Sequence, residues 1–288
     1  MLGTSELILN PDGSIYHLNL LPEDLADTVI TVGDPDRVSE VSSFFETVEI
    51  KKGKREFRTH TGILNGKRLS VVSTGIGTDN IDIVLNELDA LVNIDFKSRT
   101  LHSKKKKLDI VRIGTSGAIQ PDIPLDSFLM SEYAIGLDGL LHFYHSTAVQ
   151  YTEMAEAFAA HTGWSSKKAE PYAVECDAVI AKKLLSNRIR LGITLTNTGF
   201  YGPQGRKLRL QTHNDRFMEG LKDFKFAELK ITNMEMETSG IYGLSKLLGH
   251  RAVSMNCILA NRSTGEFSAN PKKATRDLIG YCLEKICG

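Results

Sequence analysis

An apolar run, Leu108-Asp109-Ile110-Val111, passes straight into Arg112-Ile113-Gly114-Thr115-Ser116-Gly117-Ala118. The first four residues read as a buried strand. At its end stands an arginine, followed by two glycines that flank two hydroxyl residues. Glycine lets a backbone turn sharply and come close to a ligand, and open α/β sheets bind ligands at the carboxyl ends of their strands. Two readings are open here. The stretch is a strand-end turn whose arginine pairs with a carboxylate, or it is an anion cradle made of guanidinium, hydroxyls and freed N–H groups.

The same grammar recurs along the chain. Thr28–Val32 is β-branched and reads as a strand leading into Gly33-Asp34-Pro35, a helix start by its Asp-Pro pair and acidic first turn. Phe57–Leu64 and Arg68–Ser73 are joined at Asn65-Gly66, a strong hairpin signal, and the second run enters Thr74-Gly75-Ile76-Gly77. From Asn80 to Val92 apolar residues return at helical spacing. Phe128–Ile135, Leu191–Thr196 and Ala252–Ala260 read as strands. Tyr151–His161, Cys176–Ser186, the segment after Glu237 and Pro271–Ile286 read as helices. With no linker or internal repeat, this alternation predicts one α/β domain over 1–288, a central mixed β-sheet flanked by helices.

Composition limits function more than it suggests it. Formal net charge is zero, which gives nothing global to attract nucleic acid or an anionic membrane. No apolar stretch approaches spanning length, and Met1–Pro11 lacks a basic region followed by an apolar run, so a cytoplasmic protein is expected. Four cysteines with no CxxC pair read as reduced thiols. His142 and His145 have no further ligand nearby, so no metal site is expected. The basic segment 97–107, with Lys104–Lys107, lacks interleaved aromatics and reads as a solvated surface insert.

Arginine stands beside glycine or polar residues at 33–37, 112–117, 200–206 and 261–262, and Arg55 precedes Glu56 where the hairpin starts. Repeated after apolar strands, these suggest a pocket for an anion plus a polar organic ligand. Glu235 and Glu237 lie two apart, on opposite sides of a strand or about 200° apart around a helix. That spacing predicts that they do not share one proton. The methionines around them make an apolar setting in which a carboxylate seeks a hydroxyl or N–H partner, such as a sugar diol.

These residues together resemble the nucleoside phosphorylases, and among them the uridine phosphorylases. The marks are GDPDRV at 33–38, KREF at 54–57, STGIG at 73–77, RIGTSGAI at 112–119, FYGPQGR at 200–206, MEMET at 234–238 and NRS at 261–263. The resemblance implies phosphate binding by Gly33, Arg37, Arg112 and Thr115, with Arg55 reaching the phosphate of a neighbouring subunit. His17 would cross over likewise, to the ribose 5′-hydroxyl. Thr115, Met236 and Glu237 would hold the ribose, while Phe200, Gln204 and Arg206 would stack on and read uracil, with Glu235 and Arg262 beside the base. Uridine and phosphate are then the partners, phosphate being co-substrate and no cofactor being needed. The minimal active unit is a homodimer, which can assemble into a hexamer.

Arg112, Glu237, Arg206 and Gln204 carry the expected catalysis. Thr78-Asp79-Asn80 departs from the family's glycine- and serine-containing turn. In bacterial uridine phosphorylases a serine at the Asn80 position, with the glutamate matching Glu56, helps hold a potassium ion. A purine phosphorylase of the same fold is the nearest alternative, but the bacterial type carries an aspartate where this chain has Asn261-Arg262. A non-catalytic nucleoside-binding protein would be expected to have lost a phosphate or ribose residue, and none is lost.

Overall fold

A computed structural model describes residues 1–214 and 216–288. The β-branched run near the amino end folds as β1 (Thr28–Val32), buried throughout. Asp34 then caps α1 (Pro35–Ser42) by accepting the Asp36 N–H at 2.9 Å. The strands β2 (Thr47–Lys54), β3 (Phe57–Leu64) and β4 (Lys67–Ser73) form an antiparallel meander. Asn65 and Gly66 make its second turn with φ of 49° and 70°, the backbone that an Asn-Gly hairpin requires.

Next come α2 (Thr78–Asn93), the short ribbon β5 (Ile94–Asp95) and β6 (Thr100–Leu101), and β7 (Asp109–Ala118). The chain continues through β8 (Phe128–Gly136), α3 (Thr152–Thr162), β9 (Tyr172–Glu175), α4 (Ala178–Leu184) and β10 (Ile189–Thr196). It ends with α5 (Phe217–Asp223), β11 (Lys225–Phe226), β12 (Leu229–Glu235), α6 (Thr238–Leu248), β13 (Arg251–Asn261), β14 (Glu266–Phe267) and α7 (Pro271–Cys287).

The central sheet is mixed, as expected, and it also closes on itself. Its order runs β12-β10-β8-β13-β7-β1-β4-β3-β2, and β12 pairs a second time, with the far end of β7. Asn233 faces Ala118 and Met234 faces Gly117 in that closure. The five strands β7, β13, β8, β10 and β12 therefore ring a common interior, while β1 to β4 extend from the side of β7.

That interior is polar and internally satisfied. Ser131 Oγ and Thr194 Oγ1 are 2.5 Å apart, Thr194 donates to Asn233 Oδ1 at 2.8 Å, and Asn233 Nδ2 donates to Ser116 Oγ at 2.9 Å. Asn256 Nδ2 extends the chain by donating to Ser131 Oγ at 3.2 Å. Buried polar groups are tolerated only when bonded in this way. The apolar faces turn outward under the helices. Leu85 and Leu88 of α2 and Leu278 of α7 are fully buried against the sheet, and each such leucine contributes about 1.5–3 kcal/mol.

Two expectations change here. The strand read as Leu108–Val111 runs on to Ala118, because β1 and β13 flank it and β12 joins at its end. Gly114 thus lies within a strand, and its reason is steric. Residues 112 and 114 share a face, and the Arg112 guanidinium folds over Gly114 where any Cβ would collide with it. The basic segment 97–107 includes β6, which pairs with β5 just before it, and it clasps the amino end. Arg99 donates to the carbonyls of Leu2 at 3.0 Å and Gly3 at 2.8 Å, while Lys104, Lys105 and Lys107 stay exposed.

Candidate active site

The carboxyl ends of β1, β4, β7, β12 and β13 open on a cavity of about 760 Å³. Gly33, Arg37, Arg112, Thr115, Phe200, Gln204, Arg206, Glu235, Met236 and Glu237 all line it, so most of the residues singled out in the sequence meet in one place. Ile76 and Phe267, exposed at 70% and 65%, form an apolar rim that the sequence did not reveal.

Arg112 is the fixed point of this cavity. It is 5% exposed and extends between two carboxylates. Its Nη2 lies 2.7 Å from Glu237 Oε2 and 3.0 Å from Glu235 Oε2, and its Nη1 donates to Asn256 Oδ1 at 3.0 Å and Ser254 Oγ at 3.3 Å. Only Nε is left without a protein partner among the described residues. The arginine is thus paired with carboxylates, as one of the two opening readings had it, although within a strand and not at a strand-end turn, and its side chain lines the cavity. Ser254 and Asn256 were missed, although two polar residues at period two inside an apolar strand were a usable signal.

The two glutamates converge rather than diverge. Glu235 is the last residue of β12, whereas Glu237 is the N-cap of α6, with φ −135° and ψ −29°. The chain leaves the strand between them, so neither strand nor helix periodicity applies. Glu235, expected beside the base, instead has its carboxylate at Arg112 and the start of α6. It accepts the Glu237 and Thr238 N–H groups, each at 3.0 Å, and the Thr196 hydroxyl at 2.7 Å. Two orphan helix donors are thereby satisfied. Glu237 accepts the Gly77 N–H at 2.9 Å through Oε1. Gly77, with φ of 94°, adopts a left-handed backbone that turns its N–H toward that oxygen. Burial pushes the Glu237 carboxyl up and Glu235 adds to the push, while the Arg112 guanidinium opposes both.

Arg37 supplies a second cation at the same end. It lies on the first turn of α1, half-buried, and its side chain makes no hydrogen bond to protein among the described residues. Burial lowers its pKa, and repulsion from Arg112 adds to the lowering although Asp34 resists it. The Arg37 side chain is thus open to an anion entering from the cavity.

The opposite end is built by the turn Gly202–Gln204 and its flanks. Arg206 lies 3.8 Å over the Phe200 ring, donates to the Phe200 carbonyl at 2.7 Å, and bonds the Gln204 side-chain oxygen. Arg262 joins from the end of β13, donating to the Gln204 carbonyl at 3.1 Å and standing 3.9 Å from Met234 Sδ. Burial and the neighbouring Arg262 push the Arg206 guanidinium down to about 10.

His17 and Arg55 are not brought to this cavity. His17 Nδ1 sits 2.7 Å from Glu87 Oε1, its ring meeting Phe57 edge-on at 6.2 Å. Arg55 occupies the exposed β2–β3 turn with φ of 55°. His142, weighed as a metal ligand, has its Nε2 2.8 Å from the Glu170 carbonyl oxygen. At Asn80 the side-chain amide fills the space over Gly75, beside Glu56, where a Cβ on Gly75 would collide with it. That packing does not fit an ion held between Glu56 and a short hydroxyl side chain. Among the described residues no three His, Cys, Asp or Glu side chains gather as a metal site, and no helix is long and apolar enough to cross a membrane.

Residues 27–284 match the phosphorylase superfamily. The chain is 31% identical to a uridine phosphorylase of Thermococcus kodakarensis over 262 residues, covering 91% of this chain and 83% of that one. It is also 26% identical over 271 residues to a DeoD-type purine nucleoside phosphorylase of Caldanaerobacter subterraneus, covering 93% and 98%. Among solved structures, the chain superposes with a TM-score of 0.88 and 28% identity on a Trypanosoma brucei nucleoside phosphorylase described as showing uridine phosphorylase activity, covering 97% of this chain and 98% of that one.

Proposed function

Since the chain belongs to the phosphorylase superfamily and is an enzyme of the pentosyltransferase type, we infer that it cleaves uridine with phosphate, releasing uracil and ribose 1-phosphate. One observation carries this reading. A cavity of about 760 Å³ holds cations at one end, a carboxylate at its waist and a ring with amide and guanidinium donors at the other. Phosphate fits the Arg37 and Arg112 end, with Thr115 and the Gly33 backbone. The ribose lies against Met236 and Glu237, its hydroxyls donating to the carboxylate. Uracil meets Phe200, Gln204 and Arg206.

In this arrangement a phosphate oxygen attacks C1′, the C1′–N1 bond breaks, and its electron pair goes to N1 of the base. The sugar becomes oxocarbenium-like as it loses the base, and positioning of the nucleophile supplies much of the acceleration. Gln204 and Arg206 donate to the uracil oxygens, where negative charge grows only as the bond breaks. Glu237 also holds Arg112, so the group that grips the sugar sets the angle of the group that grips phosphate. Inorganic phosphate is the co-substrate and no cofactor is required. His17 and Arg55 gather on the β2–β3 side and are supplied to a neighbour's site, which makes a homodimer the minimal active unit and permits a hexamer. The enzyme works in cytoplasmic pyrimidine salvage.

Incubation with uridine and with inosine, each with and without phosphate, tests this reading. Uridine is expected to be cleaved only with phosphate and faster than inosine; phosphate-independent cleavage or a preference for inosine would overturn it. Lys105→Ala, on the exposed insert, is expected to leave the rate unchanged. Gly114→Ala forces a methyl into the space of the Arg112 guanidinium. It is expected to lower phosphorolysis about a hundredfold by tilting that side chain, and an unaffected rate would mean that the packed orientation of Arg112 is not needed.

A further inference from the structure

Strand β13 is apolar on one side only. Val253, Met255 and Cys257 turn into the core beneath α7, while Ser254 and Asn256, both fully buried, face the polar interior. The Asn256 amide has one workable orientation there, because a guanidinium carries donors alone. Its Oδ1 accepts from Arg112 Nη1 at 3.0 Å, and its Nδ2 donates to Ser131 Oγ at 3.2 Å and to Ser254 Oγ at 3.3 Å. Ser254 Oγ also accepts from Arg112 Nη1 at 3.3 Å, which leaves its proton for Thr238 Oγ1, 2.9 Å away. The Nη1 edge of Arg112 is therefore committed to β13 and the Nη2 edge to the carboxylates of Glu235 and Glu237. Acceptors on both edges fix the plane of the guanidinium, and Nε is the nitrogen left for a ligand.

The two edges differ in what they depend on. Glu237 is held independently of Arg112 by the Gly77 N–H at 2.9 Å, and Glu235 by the first N–H groups of α6. Both carboxylates keep their places when Nη1 loses its acceptor. Arg112 does not: with one edge released, the guanidinium is free to swing about its Nη2 contacts, and the direction of the Nε hydrogen swings with it. We propose that Asn256 is a positioning residue for the anionic co-substrate. By anchoring Nη1 it aims the remaining N–H of Arg112, and it thereby sets the affinity for phosphate and not that for the nucleoside. The proposal rests on the assignment of the Arg37 and Arg112 end to phosphate.

The test is a split of Michaelis constants. KM for phosphate is measured at saturating uridine, and KM for uridine at saturating phosphate, in wild type, Asn256→Ala and Ser131→Ala. Asn256→Ala is expected to raise KM for phosphate about five- to tenfold, the scale of ordering one long side chain anew at each binding event, and to leave KM for uridine unchanged. Ser131→Ala removes a hydrogen bond from the same buried chain without touching Arg112, so it is expected to lower thermal stability and to move neither constant. If Asn256→Ala does not fold, Ser254→Ala takes away the other Nη1 acceptor and is expected to raise KM for phosphate selectively in its place. Unchanged constants in Asn256→Ala, constants that rise together, or an equal phosphate effect in Ser131→Ala would sink the proposal. In each of those outcomes wild type still cleaves uridine with phosphate, whereas failure of the uridine reading leaves wild type without that activity.

Discussion

Replacing Arg112 by methionine is expected to reduce phosphorolysis by about a thousandfold or more, the scale of losing a preorganised charged donor at a reacting group. It is also expected to destabilise the fold by about 3–5 kcal/mol. The second effect follows from where the side chain lies, 2.7 Å from Glu237 and 3.0 Å from Glu235 with all three groups buried. Methionine keeps an unbranched apolar stem but lacks the guanidinium, and so leaves two carboxylates facing each other.

The stability loss carries a pH signature with a definite sign. The Glu237 carboxyl is already raised by burial, with Arg112 pulling it back, so removing the guanidinium raises it further. A carboxyl raised in the folded state binds more protons folded than unfolded, and its stabilising contribution is lost as pH rises through the folded value. The variant is therefore expected to lie closest to wild type in mildly acidic buffer and to fall behind toward pH 8. Thermal unfolding of both proteins at pH 5.5 and pH 8 measures the gap. An equal gap at the two values would mean that Glu237 is not held ionised by Arg112.

Much of this site was legible in the sequence because its residues end apolar strands. Gly33 and Arg37 follow β1, Gly75 and Gly77 follow β4, and each lies just past an uninterrupted buried run. The hairpin at Asn65-Gly66 was legible for an equally local reason, as its turn chemistry sits within two residues.

What escaped was non-local. Closure of the sheet rests on two residue pairs between β12 and β7, more than a hundred positions apart. The strand β12 itself was not anticipated. Its inward residues are Asn233 and Glu235, so it lacks the apolar alternation that marks a strand packed on an oily core. The polar interior also explains Ser254 and Asn256, which look like defects in β13 until Arg112 is placed between them and Glu237. The convergence of Glu235 and Glu237 was hidden because periodicity assumes one element, and here a strand ends and a helix begins between the two residues.

The second large effect is expected at Glu237. Glutamine keeps the shape and can still accept the Gly77 N–H through its carbonyl oxygen, but it turns an amide NH2 toward Arg112 Nη2, where Oε2 now accepts at 2.7 Å. Donor then faces donor, and the cation is released from the orientation that the carboxylate imposes. The 2′- and 3′-hydroxyls lose a charged acceptor as well, so kcat/KM for uridine is expected to fall about 10²–10³-fold.

A merely structural role for Glu237 would lower the rates for uridine and 2′-deoxyuridine alike. A ribose-holding role makes the loss larger for uridine, so the preference of wild type for uridine over 2′-deoxyuridine should narrow in Glu237→Gln. The pH profile gives an independent check. Only the ionised carboxyl accepts from Arg112 and the sugar together, and burial raises its pKa above the ordinary carboxylate range. Wild-type kcat/KM should therefore climb with pH on the acid side as Glu237 ionises, while the glutamine variant, with nothing to titrate there, should lose that limb. A variant that kept both the limb and the uridine preference would remove Glu237 from the sugar and leave it only as the support of Arg112.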